Sequence, residues 1–172
     1  MQPRGMNHFG LMTHDIDTTI EFYQKVLGFE PIAYYLREVG EGHLRQVFFD
    51  LGNSQSLEFA QSHGIADIAD TFDAGINAGL GVRTGVGMIH FAFDVDSLEE
   101  LEARKSKLEA AGVDVIGPLD LDWLHSIYFR DPNGVQLEFS YTVKSVPGES
   151  YLEPVNTEKW RELKAEAASR AS

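Results

Sequence analysis

Two stretches of this chain alternate apolar and polar residues in the same way and close in the same kind of turn. Phe48 to Ala60 reads FFDLGNSQSLEFA, and Tyr128 to Ser140 reads YFRDPNGVQLEFS. In both, an aromatic pair leads into an aspartate and a turn, and Leu-Glu-Phe with a small residue follows; the first copy has one extra turn residue. Alternation with a period of two predicts a β-hairpin in each, with Glu58 and Glu138 facing away from their apolar neighbours.

The elements before each hairpin repeat as well. His8 to Thr13 predicts a strand, and Asp15-Ile16-Asp17-Thr18 offers N-caps for a helix through Leu27, where Ile20, Tyr23 and Leu27 share one face and Gly28 follows the end. Strands are predicted over Phe29 to Val39, His43 to Asp50 and Gln55 to Ala60. The second unit repeats the order: strand Val86 to Val95, helix Ser97 to Ala111 ahead of Gly112, then strands Val113 to Gly117, Trp123 to Arg130 and Val135 to Tyr141. The fold class is therefore α+β, built from two βαβββ modules. Residues 1–142 are expected to form one domain, with module one at 6–60, a glycine-rich linker at 61–85 that leaves room for a short helix over Ile65 to Ala74, and module two at 86–142. Residues 143–172 form a tail with an amphipathic helix near Thr157 to Ala168, whose Trp160 and Leu163 face one way and suit docking.

Composition narrows the function. A net charge of −13 argues against nucleic acid, whose phosphates must be met by Lys and Arg. No apolar run approaches the roughly 20 residues of a membrane span, and the N-terminus lacks the apolar core of a secretory signal, so a cytoplasmic protein is expected. The absence of cysteine excludes thiolate metal sites and thiol nucleophiles, leaving His and carboxylate as metal ligands.

Those ligands recur. His8 opens the first strand of module one and Glu58 lies in its last; His90 and Glu138 take the same places in module two. Their neighbours on the same strand faces are small, namely Gly10, Ser56, Ala60, Ala92 and Ser140, which leaves open volume above a bound ion. Two His and two Glu suit one divalent ion, Ni, Zn, Co, Mn or Fe.

The runs HFGLMTHDIDTTIEFYQKVLGF, MIHFAFDV and YFRDPNGVQLEF resemble the vicinal oxygen chelate superfamily, which joins glyoxalases, bleomycin-resistance proteins and extradiol dioxygenases, over about residues 6 to 142. The resemblance implies two modules paired into a curved mixed sheet, a metal held by His8, Glu58, His90 and Glu138, and a small-molecule substrate that chelates it through oxygen. It also implies a homodimer, with modules paired within one chain or across two.

The first reaction implied is that of a glyoxalase I-like lyase or isomerase, working through a metal-bound enediolate with Glu138 or Glu58 moving the proton. Met12 and Ser62 stand where bacterial glutathione-using relatives carry Arg and Asn, which argues against glutathione. The alternative is an Fe(II) extradiol ring-cleaving dioxygenase using His8, His90 and Glu138, with Tyr128 in a Ser-aromatic-Tyr context and His125 as an acid-base group. A second alternative is a non-catalytic drug-binding protein of the bleomycin-resistance type. Alternation puts Tyr128 and His125 on opposite faces, with Trp123 on the face of His125, so at most one of the first two enters the pocket. His14, on the strand-to-helix turn, reads as a solvent-facing or capping residue, and His43 and His63 fall in a turn and in the linker, away from the site. Arg37 and Arg45 are available to a substrate carboxylate or simply solvated.

Overall fold

The structure is a computed structural model that describes residues 6–65, 90–121, 123–144, 161–162 and 169. Two four-stranded sheets are built from β1 (His8–Met12), β2 (Pro31–Val39), β3 (Gly42–Asp50) and β4 (Ser56–His63), and from β5 (Phe91–Asp94), β6 (Ile116–Asp120), β7 (Leu124–Arg130) and β8 (Gln136–Thr142). Their strand orders, β1-β4-β3-β2 and β5-β8-β7-β6, are the same topology used twice. In each, the first strand runs parallel to the last, and the other pairs are antiparallel. Each parallel pair is reached through a helix, α1 (Ile16–Glu21) in the first module and α2 (Leu98–Ala110) in the second. The two-module βαβββ architecture is thus present.

Periodicity explains the core. Val47, Phe49, Leu57 and Phe59 line the apolar face of the first sheet, and Ile127, Phe129, Leu137 and Phe139 line that of the second; all are buried, and each in the second set lies 80 positions after its counterpart. Ile16, Tyr23 and Leu27 pack on the first set, and Leu101 and Leu108 on the second. Each such side chain contributes about 1.5–3 kcal/mol through burial, so the helices are held by these faces more than by their own propensity.

Asp15 caps α1, its carboxylate accepting the N–H groups of Asp17 and Thr18. The helix then widens into π-helical turns over Phe22–Leu27, which bury Phe22 and Tyr23 side by side. Gly28 ends it with φ +82°, where its N–H bonds the Tyr23 carbonyl. Ser97 caps α2 by accepting the Glu100 N–H.

Several expected boundaries shift. β4 continues to His63, three residues into the expected linker, because its ladder with β3 extends to the pair His43 and His63. β6 covers Ile116–Asp120 rather than stopping at Gly117. It is an edge strand, where the missing N–H of Pro118 costs no ladder bond. The strand expected over Val86 to Val95 is described only from His90 onward, and the possible helix over Ile65 to Ala74 lies outside the described residues beyond Ile65 itself. The C-terminal helix with Trp160 and Leu163 also falls outside them, although Arg161, Glu162 and Ser169 are helical. Among the described residues no helix is long and apolar enough to cross a membrane.

The modules meet on their apolar sides. Phe9 packs edge-on against Phe91 at 4.9 Å between centroids, and Phe29 against Phe93 at 5.0 Å. A buried polar cluster joins the start of the first module to the turn of the second. The Tyr23 hydroxyl donates to Asp131 Oδ2 at 3.1 Å, and the Thr13 hydroxyl lies 2.6 Å from Asn133 Oδ1.

Candidate metal and substrate site

Strand register sets the site. Gly10 on β1 sits opposite Glu58 on β4, and Ala92 on β5 sits opposite Glu138 on β8. His8 and His90 each lie two residues before that row, so both His/Glu pairs have equivalent positions on the non-helical faces of their sheets. A Cβ at Gly10 would come into van der Waals contact with the carboxylate, 3.4 Å from Glu58 Oε2.

In the second module the pair is assembled. His90 Nε2 lies 2.6 Å from Glu138 Oε2, and Ser140 Oγ donates to Glu138 Oε1 at 2.6 Å. Beside them the Ser126 and Ser140 hydroxyls are 3.0 Å apart and buried. Tyr128 stands directly across the ladder from Glu138, and its ring meets that of His90 edge-on at 5.8 Å. Burial raises the Tyr128 phenol above its ordinary value, the Glu138 charge and hydrogen bond add to this, and the Ser126 bond offsets part of it. At neutral pH Tyr128 is therefore a proton donor. Glu138 is only 4% exposed, and His90 and Ser140 compensate much of the cost of burying a carboxylate.

In the first module the pair is looser. Gln46 Nε2 donates to Glu58 Oε1, and Arg37 Nε donates to Gln46 Oε1 at 2.7 Å, which fixes which way the Gln46 amide points. Glu58 is half-buried; His8 is exposed, bonded through Nδ1 to the Asn7 side chain at 2.7 Å and edge-on to Phe48. Among the described residues no group of three or more His, Asp or Glu side chains gathers closely enough to hold an ion. The single chain thus brings His90 and Glu138 together, and sets His8 and Glu58 on their own sheet.

An open cavity of about 440 Å³ lies over the second pair, and His90, Asp94, Trp123, Tyr128, Glu138 and Ser140 are among its lining residues. Tyr128 lines it. His125 does not: it faces Asp120 and Tyr141 on the other side of the sheet. Trp123 lines the cavity despite its expected place beside His125, because β7 begins at Leu124 and strand alternation does not reach it. Arg45 is committed elsewhere, in a two-pronged bond to Asp17 at 2.9 and 3.1 Å. Arg37 serves Gln46 and stacks 4.7 Å over the Tyr35 ring. His14, His43 and His63 are exposed.

Gln46 escaped the sequence reading. Counting back through the first hairpin from Glu58 pairs it with Phe48 and puts Gln46 one step further along the same face, a signal available from the turn alone.

The family model described as the glyoxalase/bleomycin resistance protein/dioxygenase superfamily matches residues 5–139. No curated protein matches the chain at a significant level. Among solved structures, a lactoylglutathione lyase from Agrobacterium tumefaciens is 24% identical, with a TM-score of 0.55 over 82% of this chain and 96% of that one. A mutant of the fosfomycin resistance protein FosX from Listeria monocytogenes, in complex with Mn(II) and 1S,2S-dihydroxypropylphosphonic acid, is 21% identical, with a TM-score of 0.56 over 88% and 100%. TnmS3, an antibiotic binding protein from Streptomyces sp. CB03234, is 19% identical, with a TM-score of 0.57 over 83% and 98%.

Proposed function

Because the chain belongs to the glyoxalase/bleomycin resistance protein/dioxygenase superfamily, we propose that it is a divalent-metal-dependent lyase or isomerase acting on a small oxygen-chelating substrate. The observation that carries this reading is the matched register of the two pairs, with Gly10 opposite Glu58, Ala92 opposite Glu138, and a histidine two residues before each small residue. Two imidazoles and two carboxylates are a donor set for Ni, Zn, Co, Mn or Fe(II). The Mn(II) in the FosX structure supports an ion of this class. Nε2 of His90 lies against Glu138 Oε2, so the two donors already point at one place and an ion bound there would take the position of their mutual contact.

The bound ion would supply Lewis-acid polarisation of a substrate oxygen. Proton movement falls to the chain. Glu138 is buried and held by His90 and Ser140, which suits a fixed ligand; Glu58 is half-buried, held through one oxygen and next to the small Gly10, which suits a base that moves. Tyr128 offers a phenolic proton at the cavity wall beside Glu138.

The cage closes, in this reading, between two copies of the chain in a homodimer. Within one chain the modules are joined through Phe9, Phe29, Phe91 and Phe93, which lie on the faces opposite the ligands. Module one of one copy would then face module two of the other.

One arrangement favours a second reading. Tyr128, Glu138 and His90 meet in a partly aromatic cavity, as an Fe(II) extradiol dioxygenase would use them, with Glu58 left idle. Glu58→Gln separates the two. In the lyase or isomerase the substitution lowers turnover of an α-hydroxycarbonyl or hemithioacetal substrate by at least a hundredfold. Oxygen uptake on a catechol with Fe(II), unaffected by Glu58→Gln, would establish the dioxygenase instead.

A further inference from the structure

The two sheets end in four edge strands, and one of them is unlike the others. β1 and β5 are short and meet between the modules through Phe9 and Phe91. β6 covers five residues, shifts its register between Ile116 and Leu119, and holds Pro118, which has no N–H to offer a neighbour. β2 runs for nine residues at the outer edge of the first sheet, and after one irregularity between Pro31 and Ala33 it keeps continuous register to Val39. Among the described residues no strand pairs with its outer edge.

The same strand is where the surface is apolar. Of the ten exposed large apolar side chains among the described residues, half lie on it, namely Ile32, Tyr34, Tyr35, Leu36 and Val39, and Leu36 is 70% exposed. The helix does not shield them, since a cavity of about 340 Å³ separates Ile16 and Ile20 from Tyr34 and Leu36. A long apolar edge with free backbone groups is a template for another strand. The charges of Arg37 and Glu38 cancel, so β2 is neutral in a chain of net charge −13. Two copies can therefore approach here without the repulsion that their acidic surfaces impose elsewhere.

We propose that β2 docks against β2 of a second copy, joining two first-module sheets edge to edge into one sheet of eight strands. Read outward from Leu36, the strand complements its own reverse. A two-fold axis at Leu36 sets Tyr35 of each copy opposite Arg37 of the other, and Tyr34 opposite Glu38. The first pairing is cation–π, and Arg37 already lies 4.7 Å over its own Tyr35 ring, so one guanidinium serves two rings. In the second, a phenol donates to a carboxylate. An axis at Tyr35 would instead face Arg37 with Ala33 and lose both pairings. The contact uses none of the four proposed metal ligands, and it joins two of the proposed homodimers into an assembly of four chains.

Sedimentation of the full chain at micromolar concentration tests this. Leu36→Glu places two carboxylates at the axis, and this protein is expected to show half the wild-type mass while keeping its circular dichroism. The chain has no cysteine, so single replacements report proximity without interference. Under mild oxidation Leu36→Cys should link two copies almost completely, because antiparallel partners lie about 4.5–5.5 Å apart, within disulfide reach. Tyr34→Cys should not link, since its counterpart would lie four residues along, about 13 Å away; nor should Ile116→Cys on the other exposed edge. If Leu36→Glu fails to fold, the cysteine variants decide alone. Equal mass for wild type and folded Leu36→Glu, no link through Leu36→Cys, as when the strand takes up a foreign peptide instead, or links through Tyr34→Cys or Ile116→Cys as complete as through Leu36→Cys would overturn the proposal. A Leu36→Glu protein of single chains would count against the proposed homodimer and leave the edge pairing intact. A wild type of two chains that Leu36→Glu leaves unchanged would do the reverse.

Discussion

Replacing Tyr23 by Phe isolates the polar link between the two modules. The Tyr23 side chain is fully buried, and its hydroxyl donates to Asp131 Oδ2, as does the Asn133 side-chain amide at 3.0 Å; Asp131 Oδ1 accepts the backbone N–H groups of Asn133 at 2.9 Å and Val135 at 2.8 Å. Phe fills the same volume, so no cavity opens, and the whole effect is the loss of one donor to a buried carboxylate. Hydrogen bonds to charged groups contribute about 1.5–3 kcal/mol. Asp131 keeps three other donors, so the lower part of that range, about 1.5–2 kcal/mol, is expected, or a fall in Tm of about 3–8 °C for a chain of this size.

The pH dependence gives this prediction a second handle. Burial raises the Asp131 carboxyl above its ordinary value, and the Tyr23 hydrogen bond is among the contacts that pull it back down. A carboxyl whose folded value is raised adds stability below its unfolded value of about 3.9 and loses that contribution as pH rises through the folded value. Tyr23→Phe raises the Asp131 value further. The penalty of the substitution should then be largest near pH 7, where the lost bond was to an anion, and shrink below about 1 kcal/mol where Asp131 is protonated. Urea unfolding of both proteins across that range measures it. A penalty under about 0.5 kcal/mol at neutral pH, or one that does not change as Asp131 protonates, would refute the reasoning.

Three further substitutions probe the site and its scaffold. Ser140→Ala removes the buried hydroxyl that donates to Glu138; it should cost about 1–2 kcal/mol in urea unfolding and weaken metal affinity, read by chelator competition, about ten- to a hundredfold. Gln46→Leu takes away the amide that orients Glu58, and should lower turnover about tenfold or more while leaving stability within about 1 kcal/mol, because Glu58 keeps access to water. Gly117→Ala should destabilise by more than about 1 kcal/mol, since its φ of +108° strains any side chain and a Cβ there would lie 2.5 Å from the Ser126 carbonyl oxygen. An unchanged Tm for this variant would show that β6 and β7 separate at little cost.

Much of this architecture was legible because the face of a strand is a matter of counting. Leu57-Glu58-Phe59 and Leu137-Glu138-Phe139 fix which residues enter the core and which face the site, and the structure gives both sets the same register. The placement of His90 beside Glu138 follows from that count. Tertiary relations were not legible. Tyr23 and Asp131 meet across 108 residues and Thr13 and Asn133 across 120, contacts that no local period encodes. The strand expected to stop at Gly117 runs on through Pro118, which only the strand order, with β6 at the edge, makes intelligible. Trp123 was given the wrong face because alternation was extended one residue beyond the strand that justifies it.

The account turns on whether four side chains from two copied modules share one ion. Anomalous diffraction from crystals grown with Mn(II) or Ni(II) measures this directly. It should show one peak at each junction of two facing modules, within about 2.0–2.3 Å of His8 and Glu58 of one copy and His90 and Glu138 of the other. A peak held by His90 and Glu138 without the first module's pair, or no peak at these residues at all, would contradict it.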